Sequence, residues 1–376
     1  MTLRKIICDE IRRGGPMPFS RYMELCLYHP QLGYYSRVTE QFGKGGDFYT
    51  SSDVHAVFGR LLARQFEEMW RVLNWPQRID LIELGPGRGL FACEVLDWSS
   101  RQFPDFARAL RYRLVEQSAG LRDRLQQRLS ADIKSGRAEV YESLDAACSA
   151  AGENIIVFAN EFFDALPVDI IDYRGAVRVT EEHGKFTEQF VPSSPGQLEF
   201  LDRYSVHPEP GERVEVSVAL LDWTKRIAAA FRGRSGFAVL IDYGYTREQQ
   251  LAGRHRDTLL TYRRHRASPS PYEAPGEQDI TAHVNFTALR TAAVADGMQP
   301  STLLTQSQFL IGIGESTQFA DAFRDSALPQ EQAKVALQLR NLVSPEGMGE
   351  TFQVLVLSHG VPSEQAAQLS GLSFTR

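Results

Sequence analysis

Several features that mark whole classes of protein are missing from this chain of 376 residues. No apolar run approaches the length of a membrane-spanning helix, so membrane insertion is not expected. The first ten residues carry acids and lack a long apolar segment, which argues against a secretory signal. The spacing of the four cysteines fits neither a disulfide framework nor a metal motif. We therefore expect reduced thiols and a cytoplasmic protein.

An excess of positive charge is also missing. The 41 basic and 47 acidic residues give a net charge of −6, so nothing global attracts nucleic acid or an anionic membrane. His265 and His283 have no metal-ligand spacing with other histidines, and no metal site is expected. The chain contains no repeat and no low-complexity tract. Its length is enough for one large domain or two.

The most informative feature that is present is a glycine turn between an apolar strand at 79–84 and a helical pattern at 90–98. Its spacing is G-x-G-x-G, whereas dinucleotide sites use G-x-G-x-x-G. An acid beside the turn suits a cation without phosphates, such as the sulfonium cofactor S-adenosylmethionine (SAM). A dinucleotide site and a turn without ligand are the alternatives. The predicted cofactor residues of this segment are Glu83, Gly85, Pro86, Gly87 and Gly89.

A second acid, Glu116, ends the strand pattern that follows this helix. An acid at the end of the second strand can accept hydrogen bonds from both ribose hydroxyls. The alternative is a charge at the start of the helix predicted at 121–129. Glu116 lies somewhat further on than the roughly 20 residues of the dinucleotide motif, and the segment 101–110 with its Pro104 explains the extra length. Because Glu116 follows the glycine turn, we favour the ribose.

Strands and helices alternate from residue 79 onward, which predicts a parallel, doubly wound sheet. Strands are expected at 79–84, 112–116, 138–141, 154–159, 237–242 and 352–357. The segment 166–215 instead has the pattern of inserted antiparallel hairpins. A helix with buried apolar positions is expected at 54–70, and Ser20 is expected to cap a helix at 21–28.

Ligands of such sheets bind outside the carboxyl ends of the strands, and four of these ends carry acids. Asn160 to Asp164 follow one buried strand, and Asp242 and Tyr243 end another. Aromatic and acidic side chains together suit a cationic substrate. Asn160 or Glu161 can orient the nucleophile of a methyl transfer. Asp164 is either a base or the cap of a short turn.

An arginine- and histidine-rich loop spans 250–276. A solvated surface loop is the first interpretation. A mobile lid that selects an acidic partner surface is the second.

The ordered series of motifs resembles the MidA family, the bacterial and mitochondrial relatives of a complex I assembly factor methyltransferase. The resemblance covers nearly the whole chain. The segments that carry it are 22–35, 46–51, 83–89, 160–168, 242–244, 262–265, 274–284 and 347–352. Any one of these motifs is weak, whereas the series is specific.

The resemblance implies a class I SAM-dependent methyltransferase, an α/β fold with a Rossmann-like doubly wound sheet. It also implies a helical extension at 1–75, a SAM-binding core at 76–165, an inserted β-rich substrate subdomain at 166–215 and the rest of the core at 216–376. Mitochondrial members dimethylate an arginine of a complex I subunit. Protein arginine is thus the first substrate class. The expected location is the bacterial cytoplasm, because the cysteines have the pattern of reduced thiols.

Site roles follow from the same resemblance. Glu161, with Asp164 or Asp242, is expected to pair with a guanidinium, because a carboxylate pair can hold that planar cation in a bidentate way. The remaining expected cofactor contacts are Asp47, Thr50 and Asn160, and the expected substrate contacts are Phe162, Phe163, Tyr243 and His283.

Two departures from the family pattern bear on the substrate. Asn285 stands where relatives usually carry Asp, and Ser52-Asp53 replaces Pro-Glu. A small-molecule O- or N-methyltransferase and a non-catalytic assembly protein that retains the fold are the alternatives. A homodimer is a further expectation.

Overall fold

The computed structural model describes residues 2–36, 56–263, 266–267 and 270–375. Two predicted cofactor residues, Asp47 and Thr50, lie outside these ranges, as do Ser52-Asp53 and His265. Among the described residues, no helix combines the length and the apolar character needed to cross a membrane.

The secondary structure of the described residues follows the chain as an alternation of helices and strands. The helices are α1 (Leu3–Gly14), α2 (Phe19–Tyr28), α3 (Ala56–Val72), α4 (Leu90–Gln102), α5 (Pro104–Ala109), α6 (Ala119–Arg128), α7 (Ser130–Lys134), α8 (Leu144–Ala150), α9 (Pro195–Tyr204), α10 (Val218–Ala230), α11 (Arg247–Leu251), α12 (Phe286–Ala295), α13 (Gln306–Glu315), α14 (Ala320–Phe323), α15 (Pro329–Val343) and α16 (Ser363–Ala366). Short 3₁₀ helices lie at Tyr34–Ser36 and Ser370–Thr375.

The strands are β1 (Met17–Pro18), β2 (Ile79–Leu84), β3 (Leu110–Val115), β4 (Ala138–Tyr141), β5 (Asn154–Asn160), β6 (Asp169–Asp172), β7 (Gly175–Glu182), β8 (Lys185–Val191), β9 (Arg213–Val216), β10 (Ser235–Tyr245), β11 (Leu260–Arg263), β12 (Arg266–Ala267), β13 (Asp279–Thr281), β14 (Val284–Asn285), β15 (Gln299–Pro300), β16 (Leu304–Thr305) and β17 (Phe352–His359).

The chain divides into two compact units, each built from three separate segments. The core unit comprises Tyr49–Glu161, Lys225–Tyr243 and Ala293–Arg376. The auxiliary unit comprises Met1–Phe48, Phe162–Thr224 and Gly244–Ala292. The N-terminal helices and the inserted strands therefore belong to one unit.

The core unit is built on a mostly parallel sheet. Its strand order is β15-β17-β10-β5-β2-β3-β4. The pairs from β10 to β4 are parallel, whereas β17 runs antiparallel to β10. All six residues of β2 are buried, as expected for a parallel strand with both faces covered. This arrangement confirms the predicted doubly wound sheet of a class I methyltransferase fold.

Helix α3 packs in the same core. The apolar residues expected on its inner face, among them Leu61, Phe66 and Met69, are fully buried. Their helical spacing places them in one stripe, which explains why they share one side.

The auxiliary unit contains an antiparallel sheet with the path β1-β7-β6-β9, and β8 pairs with β7. This sheet confirms the antiparallel strands predicted within 166–215. A separate three-stranded sheet has the order β12-β11-β13. Helices α1 and α2 bury their apolar residues, including Ile7 and Phe19, in the cluster that contains Val177 of β7.

The predicted cap of α2 is wrong. Helix α2 begins at Phe19 after Pro18, so Ser20 already lies in its first turn. The Ser20 N–H instead donates to Oδ1 of Asp169, at 3.1 Å. A side chain 149 positions away along the chain thus takes the role expected of a local serine.

Candidate functional site

The order of the core sheet locates a ligand crevice. From β2 the chain crosses to β3 and β4 on one side, and β5 pairs with the other side of β2. Ligands of open α/β sheets bind outside the carboxyl ends of the strands at such a reversal. Residues 85–89 follow β2 and Glu161 follows β5, so both predicted motifs lie at this reversal.

All three glycines of the turn have left-handed backbones, with φ of 66° at Gly85, 51° at Gly87 and 71° at Gly89. A Cβ added at Gly87 would meet nothing within 4 Å, so its side faces open space. A Cβ added at Gly89 would lie 2.6 Å from Cδ2 of Leu125. Gly89 therefore packs closely against Leu125 of α6, whereas the side of Gly87 is open, as a close approach of a ligand to the backbone would need.

Glu83 is buried near the end of β2, two residues before Gly85. Its Oε2 accepts a hydrogen bond from the Tyr112 hydroxyl at 2.8 Å. Burial raises the pKa of the Glu83 carboxyl to about 8, and the tyrosine hydrogen bond partly opposes this rise. A cationic group placed beside this carboxyl would favour its ionised form.

Glu116 follows β3 and is half-buried. Its Oε1 accepts the N–H of Ser118 at 2.8 Å, and desolvation raises its pKa to about 7. Helix α6 is capped by Ser118, whose hydroxyl accepts the N–H of Leu121. Ser118 thus caps the helix, and the Glu116 carboxylate binds the N–H of that same residue, so the ribose role of Glu116 stays a prediction.

Glu161 combines an unusual backbone with a held carboxylate. Its φ is 51°, the left-handed region that non-glycine residues rarely adopt. Asn160 Nδ2 donates to its Oε1 at 3.1 Å, and the Tyr243 hydroxyl donates to its Oε2 at 3.3 Å. The Glu161 N–H continues the sheet by donating to the carbonyl of Ile241. Strained residues of this kind cluster at functional sites, which supports a functional role for Glu161.

Asp242 lies on the neighbouring strand β10 and is 1% exposed. Its Oδ1 accepts the N–H of Tyr243 at 2.9 Å. In the register of the two strands, Ile241 pairs with Asn160, so Asp242 follows at the level where β5 ends. The structure thereby brings Asn160, Glu161, Asp242 and Tyr243 to the same end of the core sheet.

The other predicted substrate residues belong to the auxiliary unit. Phe162 is half-buried, and its ring meets Phe163 and Trp223 edge-on, with centroids 5.5 and 4.9 Å away. Asp164 is buried, and its carbonyl accepts the N–H of Ala282. Residues 164 and 165 form a short turn before Pro167, and both expected roles of Asp164 stay predictions.

His283 is half-buried in the auxiliary unit. Its Nδ1 lies 3.3 Å from Nδ1 of His255, whose ring stacks on Tyr245. Burial, followed by repulsion from His255, lowers the pKa of His283 to about 4. The ring is thus neutral near pH 7. Among the described residues, no group of three or more His, Cys, Asp and Glu is arranged to hold a metal ion.

The basic loop is anchored in the described part of its length. Arg256 pairs with Glu212, and Arg263 pairs with Glu277 at 2.8 Å. Thr258 donates from its N–H and its hydroxyl to the buried carboxylate of Glu215. These bonds are not those of a purely solvated segment.

Asn285, one of the departures from the family pattern, is buried and structural. Its Nδ2 donates to the Tyr204 carbonyl, and its Oδ1 accepts the Ala288 N–H at the start of α12. An aspartate could accept the second bond but could not donate the first. These two hydrogen bonds give a local structural reason for asparagine at position 285, and that reason does not involve a substrate.

The residues present fit SAM in the core unit. The open side of Gly87 provides a backbone approach, Glu83 lies beside the turn, and Glu116 follows the next strand, β3. Bound there, SAM would supply a methyl group on a sulfonium. Glu83 with the turn would hold its amino-acid end, and Glu116 its ribose.

Sequence reasoning missed Tyr112 and Trp223. The sequence places Tyr112 only in a strand, and its contact with Glu83 depends on the pairing of β2 with β3. Trp223 lies in a helical pattern, and nothing local connects it with Phe162.

Comparisons with known proteins identify the family to which the chain belongs. A family of S-adenosyl-L-methionine-dependent methyltransferases matches residues 61–303. The mitochondrial protein arginine methyltransferase NDUFAF7 homolog of Drosophila melanogaster is 28% identical, covering 96% of this chain and 85% of its own. NDUFAF7 of Danio rerio is 27% identical over 94% of this chain and 86% of its own.

A solved structure extends the comparison to the fold. A Burkholderia thailandensis protein bound to S-adenosyl-homocysteine is 28% identical, with a TM-score of 0.82. The match covers 99% of this chain and 94% of that one. Because the family match spans more than half of the chain and includes the glycine turn, the chain belongs to the MidA family of SAM-dependent methyltransferases.

Proposed function

We propose that this enzyme methylates an arginine guanidinium of a protein substrate. The observation that carries the proposal is the Glu161 carboxylate, held by Asn160 and Tyr243 at the sheet end that carries the glycine turn. The Drosophila melanogaster and Danio rerio relatives are named as protein arginine methyltransferases, which supports the same substrate class.

The chemistry of a guanidinium explains why an oriented carboxylate is needed. A guanidinium spreads its charge over three nitrogens and is a poor nucleophile. An ionised carboxylate that accepts two of its N–H groups draws the positive charge toward those nitrogens. The third nitrogen then keeps more electron density for attack on a methyl group. We assign this role to Glu161, with Asp242 or Asp164 as the second acid.

Substrate contacts by Phe162, Phe163 and His283 remain part of the proposal. Their rings offer aromatic faces, and the neutral ring of His283 near pH 7 adds no charge that repels a guanidinium. Asn160 is proposed to serve Glu161 through its side chain and SAM through its position as the last residue of β5.

The test uses Glu161→Gln with radiolabelled SAM, and the acceptor is lysate from a strain that lacks this protein. Glu161→Gln is expected to abolish labelling of protein arginine while calorimetry shows unchanged SAM binding. Identification of the labelled species decides between the alternatives. Label in a small molecule would favour a small-molecule O- or N-methyltransferase. Absence of SAM binding by the wild type would favour a non-catalytic assembly protein.

The compartment and the oligomeric state are separate proposals. The four cysteines are free, which supports a reducing compartment such as the bacterial cytoplasm. Fractionation with an antibody would test this, and light scattering of the purified protein would test the homodimer.

A further inference from the structure

We infer that Tyr243 is a positioning residue for Glu161, and that its hydroxyl does not bind the substrate. The inference rests on the proposed function, because it takes Glu161 as the group that holds the guanidinium. Tyr243 then contributes through the geometry of that carboxylate.

The two oxygens of Glu161 are each held by a neutral donor. Asn160 Nδ2 lies 3.1 Å from Oε1, and the Tyr243 hydroxyl lies 3.3 Å from Oε2. Donors of this kind stabilise the ionised carboxylate. An ionised carboxylate offers about four acceptor positions, so two such donors do not by themselves preclude bidentate pairing with a guanidinium.

The Tyr243 ring is itself fixed by the sheet. Tyr243 pairs with Phe352 of β17 in the antiparallel register, and the two ring centroids are 4.5 Å apart. Phe352 is 3% exposed. The Tyr243 N–H donates to the carboxylate of Asp242 on the same strand. The hydroxyl is therefore carried on a rigid support that is anchored in the hydrophobic core of the core unit.

A fixed carboxylate matters here because Glu161 lies at the point where β5 ends. A glutamate side chain has three rotatable bonds, and its free rotation would misplace the oxygens for planar, bidentate pairing. The left-handed backbone of Glu161 sets the direction of the side chain, and the two donors set its end. Tyr243 is the donor that comes from the neighbouring strand.

The test compares Tyr243→Phe with the wild type in methyl transfer from radiolabelled SAM to a dilution series of lysate from the deletion strain. Loss of one hydrogen bond to a charged group predicts a saturated rate about tenfold to a hundredfold lower. The half-saturating lysate concentration and the SAM affinity measured by calorimetry are expected to stay within about twofold. The acid limb of the pH–rate profile is expected to move to higher pH, because the ionised carboxylate has lost a donor.

The matched control is Tyr141→Phe. It removes a tyrosine hydroxyl that donates a hydrogen bond to another carboxylate of the same sheet, that of Glu139. It is expected to leave rate and pH profile unchanged. A Tyr243→Phe variant with a higher half-saturating concentration and an unmoved pH profile would make Tyr243 a substrate contact, and a loss of SAM binding would make it a cofactor contact. Either result overturns the inference. If Glu161→Gln is inactive while Tyr243→Phe is normal, the inference fails and the proposed function stands. If Glu161→Gln stays active, the proposed function fails first.

Discussion

Replacing Gly87 by alanine separates the two reasons for which glycines occur in the turn. Gly87 and Gly89 both have positive φ, but their surroundings differ. At Gly87 the new methyl group would meet no protein atom within 4 Å. At Gly89 it would lie 2.6 Å from Leu125. Gly87→Ala is therefore expected to affect the ligand, and Gly89→Ala the folded protein.

The magnitudes follow from these distances. An alanine with a left-handed backbone costs roughly 1–2 kcal/mol, so the free energy of unfolding is expected to fall by that amount in both variants. Gly89→Ala adds an overlap with a buried side chain, which costs about 1–3 kcal/mol more. In Gly87→Ala the methyl group projects into the space that SAM is expected to use. A comparable overlap with the ligand lowers SAM affinity by about five- to a hundredfold.

A third variant controls for backbone strain. Gly136, in the turn before β4, has a φ of 73° and open space where a Cβ would lie. Gly136→Ala thus reproduces the strain of Gly87→Ala outside the glycine turn. Thermal unfolding and SAM calorimetry are measured on all three variants. If Gly87→Ala binds SAM as tightly as Gly136→Ala does, the open side of Gly87 does not face the cofactor and the assignment of the turn is refuted.

Three further predictions concern acids of the two units. Glu116→Gln should lower SAM affinity by about tenfold or more, since a hydrogen bond to a charged group contributes roughly 1.5–3 kcal/mol; unchanged affinity in calorimetry would return Glu116 to a structural role. Burial raises the pKa of Glu83 to about 8 and that of Glu116 to about 7 in the folded protein. The stability that these two groups contribute to the ligand-free protein is therefore fully present below about pH 4.5 and is lost as the pH rises through 7 and 8. Thermal unfolding of Glu83→Gln between pH 6 and 9 should show a flatter dependence than the wild type, and parallel curves would contradict this. Asp169→Ala should destabilise the auxiliary unit by about 0.5–2 kcal/mol, because the Ser20 N–H loses its acceptor; chemical denaturation measures it, and an unchanged midpoint would show that water replaces the cap.

The sheet of the core unit could be predicted because its signals are local. Strands β2 and β4 have the bounds expected from their apolar runs, and α3 buries the residues that its periodicity selects. These patterns depend on chain neighbours within a few positions. Positive φ at the three turn glycines follows for the same reason, because the residue type itself permits the conformation.

The contacts that tune the site could not be predicted, because they join residues far apart in the chain. The bond from Tyr112 to Glu83 depends on the register between two strands, and the bond from Tyr243 to Glu161 depends on the pairing of β10 with β5. The predicted cap of α2 is wrong for the same reason, because the group that accepts the Ser20 N–H is Asp169, which lies 149 positions away along the chain. Strand ends show which acids share an edge of the sheet, but only the register shows which donor holds each oxygen.

Two of the motifs that carry the family resemblance lie at places where the chain passes from one unit to the other. The segment 160–168 passes out of the core unit between Glu161 and Phe162, and 242–244 passes out between Tyr243 and Gly244. On the core side of these two points, Glu161 and Tyr243 share a hydrogen bond. The left-handed backbone of Glu161 follows directly on the last residue of β5, so the strand ends at the residue whose carboxylate Tyr243 holds. Strained backbones of this kind cluster at functional sites, which is the reason to test Glu161 and Tyr243 together.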